Sequence, residues 1–297
     1  PWTARPLLFE VAQRSGRLFA PRFGRQLRLE PVDGDGEGRE ATQFHWGRSR
    51  GLRSLDLHLV IPPALCVAQT SDGSARMPGG AVLACFDHFS TYAISEADRR
   101  YRPGVSVSLN ATFAEGHEDL LRPGRTMVMR VTVPKSGAAM SFATADVDVD
   151  GVPVAQLGHI KYMPLRGLFG SAWDAAFSSA GIWLGRHFGG FERMADSKLA
   201  APEPLTDDLS TLLVLKDVNA TRETDHALSA NLDPLRLEQT NPLGDMHGGC
   251  QALLSEKLAT QVAQRAFAEA SPSLMSIRMA YYRAGKGKDP PAVLAVP

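Results

Sequence analysis

Apolar residues at Leu55, Leu57, Leu59 and Ile61 alternate with Asp56, His58 and Val60, which predicts a strand with one apolar face, ended by Pro62-Pro63. From Gly79 the period lengthens: Val82, Phe86, Phe89 and Ala93 form a stripe at helical spacing, and Asp87 and Thr91 share a different face four residues apart. After Pro103-Gly104 the alternation returns in four runs, 105–113, 126–133, 140–149 and 152–163. Gly124, Ser136-Gly137 and Asp150-Gly151 separate them, the last being a hairpin signal. One helix followed by antiparallel strands predicts an α+β unit in which a sheet wraps around a central helix.

Phe169, Trp173, Phe177, Ala180, Leu184 and Phe188 fall at helical spacing in the next stretch, so the connector is expected to hold an amphipathic helix. Its Asp174 and its Gly and Ser residues make it too polar to span a bilayer. It is expected to pack on its neighbours rather than lie on a membrane surface or a partner. Past the Ala-Pro-Glu-Pro run at 201–204, strands are expected at 212–215 and 227–232, then a helix with Leu254, Leu258 and Val262 on one face, then a strand from Leu274 to Tyr282. The expected domains are a basic arm and loop at 1–43, a first unit at 44–165, the connector at 166–204 and a second unit at 205–297. The first unit runs 78 residues from Asp87 to Leu165, but only 41 follow Glu256, about two strands too few. The reading expects further sequence beyond Pro297, the alternative being a partner that completes the unit.

The stretch Asn241-Pro-Leu-Gly-Asp-Met-His-Gly-Gly-Cys250 leads into that second helix, with Glu256 two to three turns in. A helix start offers unpaired N–H groups and the positive end of the helix dipole, and glycine lets a substrate oxygen approach closely. With the Asn241 amide as a second donor, such a start could polarise a carbonyl for attack by a carboxylate or by water that the carboxylate activates. Subtracting 169 from these positions lands on Pro78-Gly79-Gly80, Asp87 and Thr91, whereas Asp72 replaces the Asn. The frame is therefore present twice.

The pattern Asn-x-x-Gly-x-x-His-Gly-Gly with an acid nine residues after the His resembles the hotdog-fold acyl-CoA thioesterases of the phenylacetate-pathway, PaaI-like type. The resemblance implies a tandem double hotdog with a helical connector. In that family the Asn, the Gly after the His, the acid and a Thr or Ser one turn beyond it form the site, matched here by Asn241, Gly248, Glu256 and Thr260. It further implies that each site lies between two hotdogs, with the Asn and Gly from one and the acid from the other. One composite is then Asn241, His247 and Gly248 facing Asp87, with Thr91 supporting the carboxylate. The other pairs Asp72, Pro78 and Gly79 with Glu256 and Thr260. Two acids there would raise one pKa and repel a developing oxyanion, so one competent and one decayed site are expected.

Each residue also has a plainer role. Gly248 and Gly249 could serve close helix packing, His247 could be a helix-start residue, and Asn241 could cap a turn. Asp87 on a largely apolar helix is harder to explain so, because a buried carboxylate requires partners. There is no Gly-x-Ser-x-Gly elbow, P-loop, Rossmann fingerprint or His/Cys metal cluster. The Asn-Pro pair is similar to that of hotdog hydratases, but there the catalytic His follows much more closely.

With 44% hydrophobic residues and zero formal net charge, the 297-residue chain reads as globular, with no surface dedicated to nucleic acid. Cys66, Cys85 and Cys250 have neither metal spacing nor an even count, which suggests a reducing compartment. Six arginines against Glu10 in the first 28 residues resemble an organellar transit segment or a basic surface helix, so the expectation is mitochondrial or cytoplasmic, with mitochondrial preferred. An acyl-CoA substrate is expected, with no metal or redox cofactor, CoA phosphates near Arg99, Arg100, Arg102, Lys286 or Lys288, and no transmembrane segment. A homodimer of double hotdogs is one expected assembly. The alternative function is a catalytically inactive hotdog protein acting as a structural subunit of a larger complex.

Overall fold

The computed structural model describes residues 43–49, 52–68, 73–98, 104–163, 216–220, 228–231, 239, 246–267, 272–281 and 292–295. The arginine-rich arm, the connector, Asp72, Asn241 and the candidate phosphate-binding Arg and Lys residues lie outside them.

The alternating runs become strands β1 (Gln43–Ser49), β2 (Leu52–Val60), β5 (Val105–Phe113), β6 (Thr126–Ser136), β7 (Met140–Val149) and β8 (Val152–Tyr162), with a short pair β3 (Val67–Ala68) and β4 (Ala75–Arg76). The helical stripe becomes α1 (Gly79–Ala97). Strands β9 (Lys216–Ala220) and β10 (Leu228–Asn231) precede α2 (Gly248–Ala266), and β11 (Ser276–Ala280) and β12 (Ala292–Ala295) follow it. The main sheet is antiparallel throughout, in the order β1-β2-β6-β7-β8-β5-β11. The Asp150-Gly151 turn has φ of 49° and 80°, left-handed at both residues, which gives the tight hairpin twist between β7 and β8.

Phe86 and Phe89 of α1 pack with Leu55, Leu57 and Leu59 of β2 and Met127, Met129 and Val131 of β6 in one buried core, so α1 lies across the sheet. The strand after α2 joins the main sheet. Residues Ser276–Ala280 pair with Thr112–Ser108 of β5 and extend the first sheet, while β9, β10 and β12 form a separate three-stranded sheet.

The two helices run antiparallel. Gly80 lies against Leu253, and Gly249 lies against Ala84. A Cβ on Gly80 would come 2.9 Å from the Leu253 Cα, and one on Gly249 would come 2.8 Å from the Ala84 Cα, so both glycines are needed for this approach. Through it, each helix places a carboxylate at the start of the other. Among the described residues no helix is long and apolar enough to cross a membrane.

Candidate active site

Asp87 sits on α1 and is only 2% exposed, yet it is well supplied with partners. Its Oδ2 accepts the Gly249 N–H at 3.0 Å, and its Oδ1 accepts the Ser106 hydroxyl at 3.1 Å. His247, the residue that caps α2, has Nδ1 3.3 Å from Oδ2. The Gly249 N–H also faces that Nδ1 at 3.1 Å. Two lone pairs 3.3 Å apart would repel, so an ionised Asp87 selects the His247 form with its proton on Nδ1, and the Gly249 N–H then donates to the carboxylate.

Behind Asp87 lies a buried polar chain. His159 of β8 is 1% exposed, with Nε2 3.0 Å from the Ser106 Oγ and Nδ1 2.6 Å from the Ser90 Oγ. Because Ser106 gives its proton to Asp87, His159 donates from Nε2 and accepts from Ser90 at Nδ1. Burial, against the pull of Asp87, lowers the His159 pKa to about 3, so the ring is neutral at pH 7. His247 is likewise lowered by burial. Lys161, two residues on, is buried with its Nζ 3.4 Å from the Gly104 carbonyl, and burial lowers its pKa against the attraction of Asp87.

For Asp87, burial alone would raise the pKa. Electrostatic interaction with His247, His159 and Lys161 and the Ser106 hydrogen bond outweigh it, holding the carboxyl well below the usual carboxylate range.

Glu256 stands in the corresponding place at the start of α1 and behaves differently. One methylene longer than Asp, it takes two N–H groups, Gly79 on Oε1 at 2.9 Å and Gly80 on Oε2 at 2.5 Å. Asp87 takes only the second glycine of its pair, and among the described residues no acceptor lies on the Gly248 N–H. Gly248 is partly exposed, whereas Gly79 is buried. A Cβ on Gly79 would come 2.8 Å from the Phe113 ring and 2.8 Å from Leu274, so apolar groups fill that side. Burial raises Glu256 to about 7, opposed by the Gly80 and Gly79 N–H groups.

His247, Gly248 and Asp87 thus come together, and so do Gly79 and Glu256. Pro78 caps α1, and Thr260, partly buried, lies one turn beyond Glu256. Asn241 and Asp72 are outside the described residues. The expected role of Thr91 needs correction: its hydroxyl bonds the Asp87 main-chain carbonyl at 2.5 Å, not the carboxylate. A helical Thr reaches back to the carbonyl four residues earlier more readily than sideways to a side chain.

Ser106, His159, Lys161 and Tyr281 were not anticipated. His159 and Lys161 stand at inward-facing positions between Leu157 and Met163, so alternation carried a signal for them. Ser106 lies at a β-bulge: Leu109 pairs His159 and Ser106 pairs Lys161, three residues against two. That extra residue turns Ser106 inward against the strand's own parity.

No family model matches the chain, and no curated protein does. Several solved structures are similar to it. A protein of Novosphingobium aromaticivorans assigned as a thioesterase is 17% identical, covers 84% of this chain and 83% of its own, and gives a TM-score of 0.44. Thioesterase superfamily member 2 from Mus musculus is 22% identical over 41% of this chain and 82% of its own, with a TM-score of 0.32. A protein of Streptococcus pneumoniae assigned as a thioesterase, whose structure holds coenzyme A, is 11% identical over 41% and 86%, with a TM-score of 0.32.

Proposed function

We propose that the chain is a double-hotdog acyl-CoA thioesterase with one competent site, at the start of α2 facing Asp87. The supporting observation is the unequal grip of the two acids on the two glycine pairs. Asp87 holds the Gly249 N–H and, among the described residues, no acceptor takes the Gly248 N–H, which in this reading serves a substrate oxygen; Glu256 occupies both donors of its pair. An N–H that already has a carboxylate on it cannot stabilise a developing oxyanion.

In this reading the thioester carbonyl oxygen sits on the Gly248 N–H, with the Asn241 amide as the second donor. The low pKa keeps the carboxylate ionised at neutral pH, the form that either direct attack or activation of water requires, and the reading takes it as the nucleophile. Asp87 Oδ2 attacks the carbonyl carbon, the C–S bond breaks, and CoA leaves as a thiolate that takes a proton from solvent. Water then hydrolyses the acyl-aspartyl anhydride, releasing the carboxylic acid and restoring Asp87. His247 and Ser106 hold the carboxylate in place from either side.

The test is release of free thiol from aliphatic and aromatic acyl-CoAs by the full-length protein beside Asp87→Asn and Glu256→Gln. Loss confined to Asp87→Asn is the expected result. Loss confined to Glu256→Gln would move the site to the other helix start, and inertness towards every thioester would favour the structural-subunit function.

A further inference from the structure

Two adjacent glycines at a helix start are a poor foundation for a donor that must point in one direction, because glycine gives the backbone its widest freedom. The peptide between them is nevertheless held at both ends. Its N–H, from Gly249, goes to Asp87 Oδ2 at 3.0 Å, and its C=O, from Gly248, accepts the Tyr281 hydroxyl at 3.1 Å. On the other side of the pair, the His247 N–H is tied to the Gln239 carbonyl at 2.8 Å. The peptide that carries the Gly248 N–H therefore lies between two anchored neighbours.

Tyr281 is itself well placed for this task. It follows β11, and its N–H continues the pairing with β5 by donating to the Val107 carbonyl at 2.9 Å. The same strand β5 carries Ser106, which orients Asp87. Strand β5 thus bears on both the acid, through its own Ser106, and the backbone the acid faces, through its pairing with the segment that carries Tyr281. The hydroxyl lies close in: a Cβ on Gly248 would come 3.0 Å from the Tyr281 oxygen and 2.9 Å from Asp87 Oδ2. The start of α1 is built otherwise, with Phe113 and Leu274 against Gly79 in place of a hydroxyl.

We infer that Tyr281 is a positioning residue that locks the Gly248–Gly249 peptide and so aims the Gly248 N–H. This inference rests on the proposed function for its catalytic consequence, but the lock itself is readable without turnover. In Tyr281→Phe the ring stays packed and only the hydroxyl is lost. Amide hydrogen exchange of the 15N-glycine-labelled protein reads the lock: the Gly249 amide keeps its own bond to Asp87 but is expected to exchange about 10-fold faster, because opening that peptide no longer breaks the Tyr281 bond to its C=O as well. With the acyl-CoA that the parent hydrolyses fastest, kcat is expected to fall about 10-fold with KM unchanged, because the donor acts on the transition state.

Unchanged exchange at Gly249 would overturn the lock. Faster exchange with full turnover, or a raised KM at constant kcat, would overturn its catalytic consequence and make Tyr281 structural or a substrate contact. If the parent hydrolyses no thioester, the proposed function fails, and the exchange measurement alone decides the lock.

Discussion

Replacing Asp87 by Asn tests the buried polar chain as well as the acid. An amide cannot accept from both sides as the carboxylate does from Gly249 and Ser106. If its oxygen keeps the Gly249 N–H, its NH2 must donate to Ser106. Ser106 then turns its proton to His159 Nε2, His159 changes tautomer and donates from Nδ1 to Ser90, and Ser90 donates to the residue 87 carbonyl, 3.3 Å away. Every donor keeps an acceptor, so the fold survives. What is lost is the charge on three hydrogen bonds, those from Gly249, His247 and Ser106, at about 1 kcal/mol each, or about 3 kcal/mol together. For a chain of this size, that is a fall in Tm of about 6–12 °C. The carboxyl pKa is depressed on folding, so this stability is fully present above the unfolded value of 3.8 and is lost as the pH falls below it. The difference between parent and variant should therefore shrink below pH 4. Imidazole 15N shifts report the tautomer: Nε2–H in the parent and Nδ1–H in Asp87→Asn. An unfolded variant, or a His159 tautomer that does not change, would refute the reversible chain.

Gly248→Ala and Gly249→Ala should differ in what they lose. The first pushes its Cβ against the Asp87 and Tyr281 oxygens, displacing the carboxylate for about a 100-fold loss of kcat with a fall in Tm no larger than that of Asp87→Asn. The second pushes against the Ala84 backbone and should cost about 1–3 kcal/mol by forcing the helices apart; a Gly249→Ala protein as stable as its parent would contradict the packing. With Asp87 ionised far below neutrality, the rate of thiol release should stay flat on acidification to pH 5, whereas an inflection near 7 would mark Glu256, whose pKa is about 7, as the acting acid. Glu256 is raised on folding from 4.5 to about 7, so the folded chain holds the extra proton between those values. Stability should thus fall as the pH rises from 4.5 to 7 and level off above it, and denaturation of Glu256→Gln should lack that slope.

Much of the architecture is local in origin and was legible for that reason. Alternation at Leu55–Ile61 and the stripe Val82–Phe86–Phe89 mark faces that must be buried wherever the chain goes, and Asp150-Gly151 dictates its hairpin. The 169-residue offset between Asp87 and Glu256 located both carboxylates that meet helix starts, because repeated spacing survives without knowledge of the third dimension. The partners of Asp87 were a different matter. Ser106 reaches it only because a bulge reverses strand parity, and Tyr281 arrives just after a strand from far along the chain that pairs with β5. Thr91, at the right helical spacing, satisfied the backbone instead. Nor could spacing distinguish the two glycine pairs. That one carboxylate takes a single N–H of its glycine pair while the other takes both depends on a single methylene and on how closely two antiparallel helices approach, a distance that only packing sets.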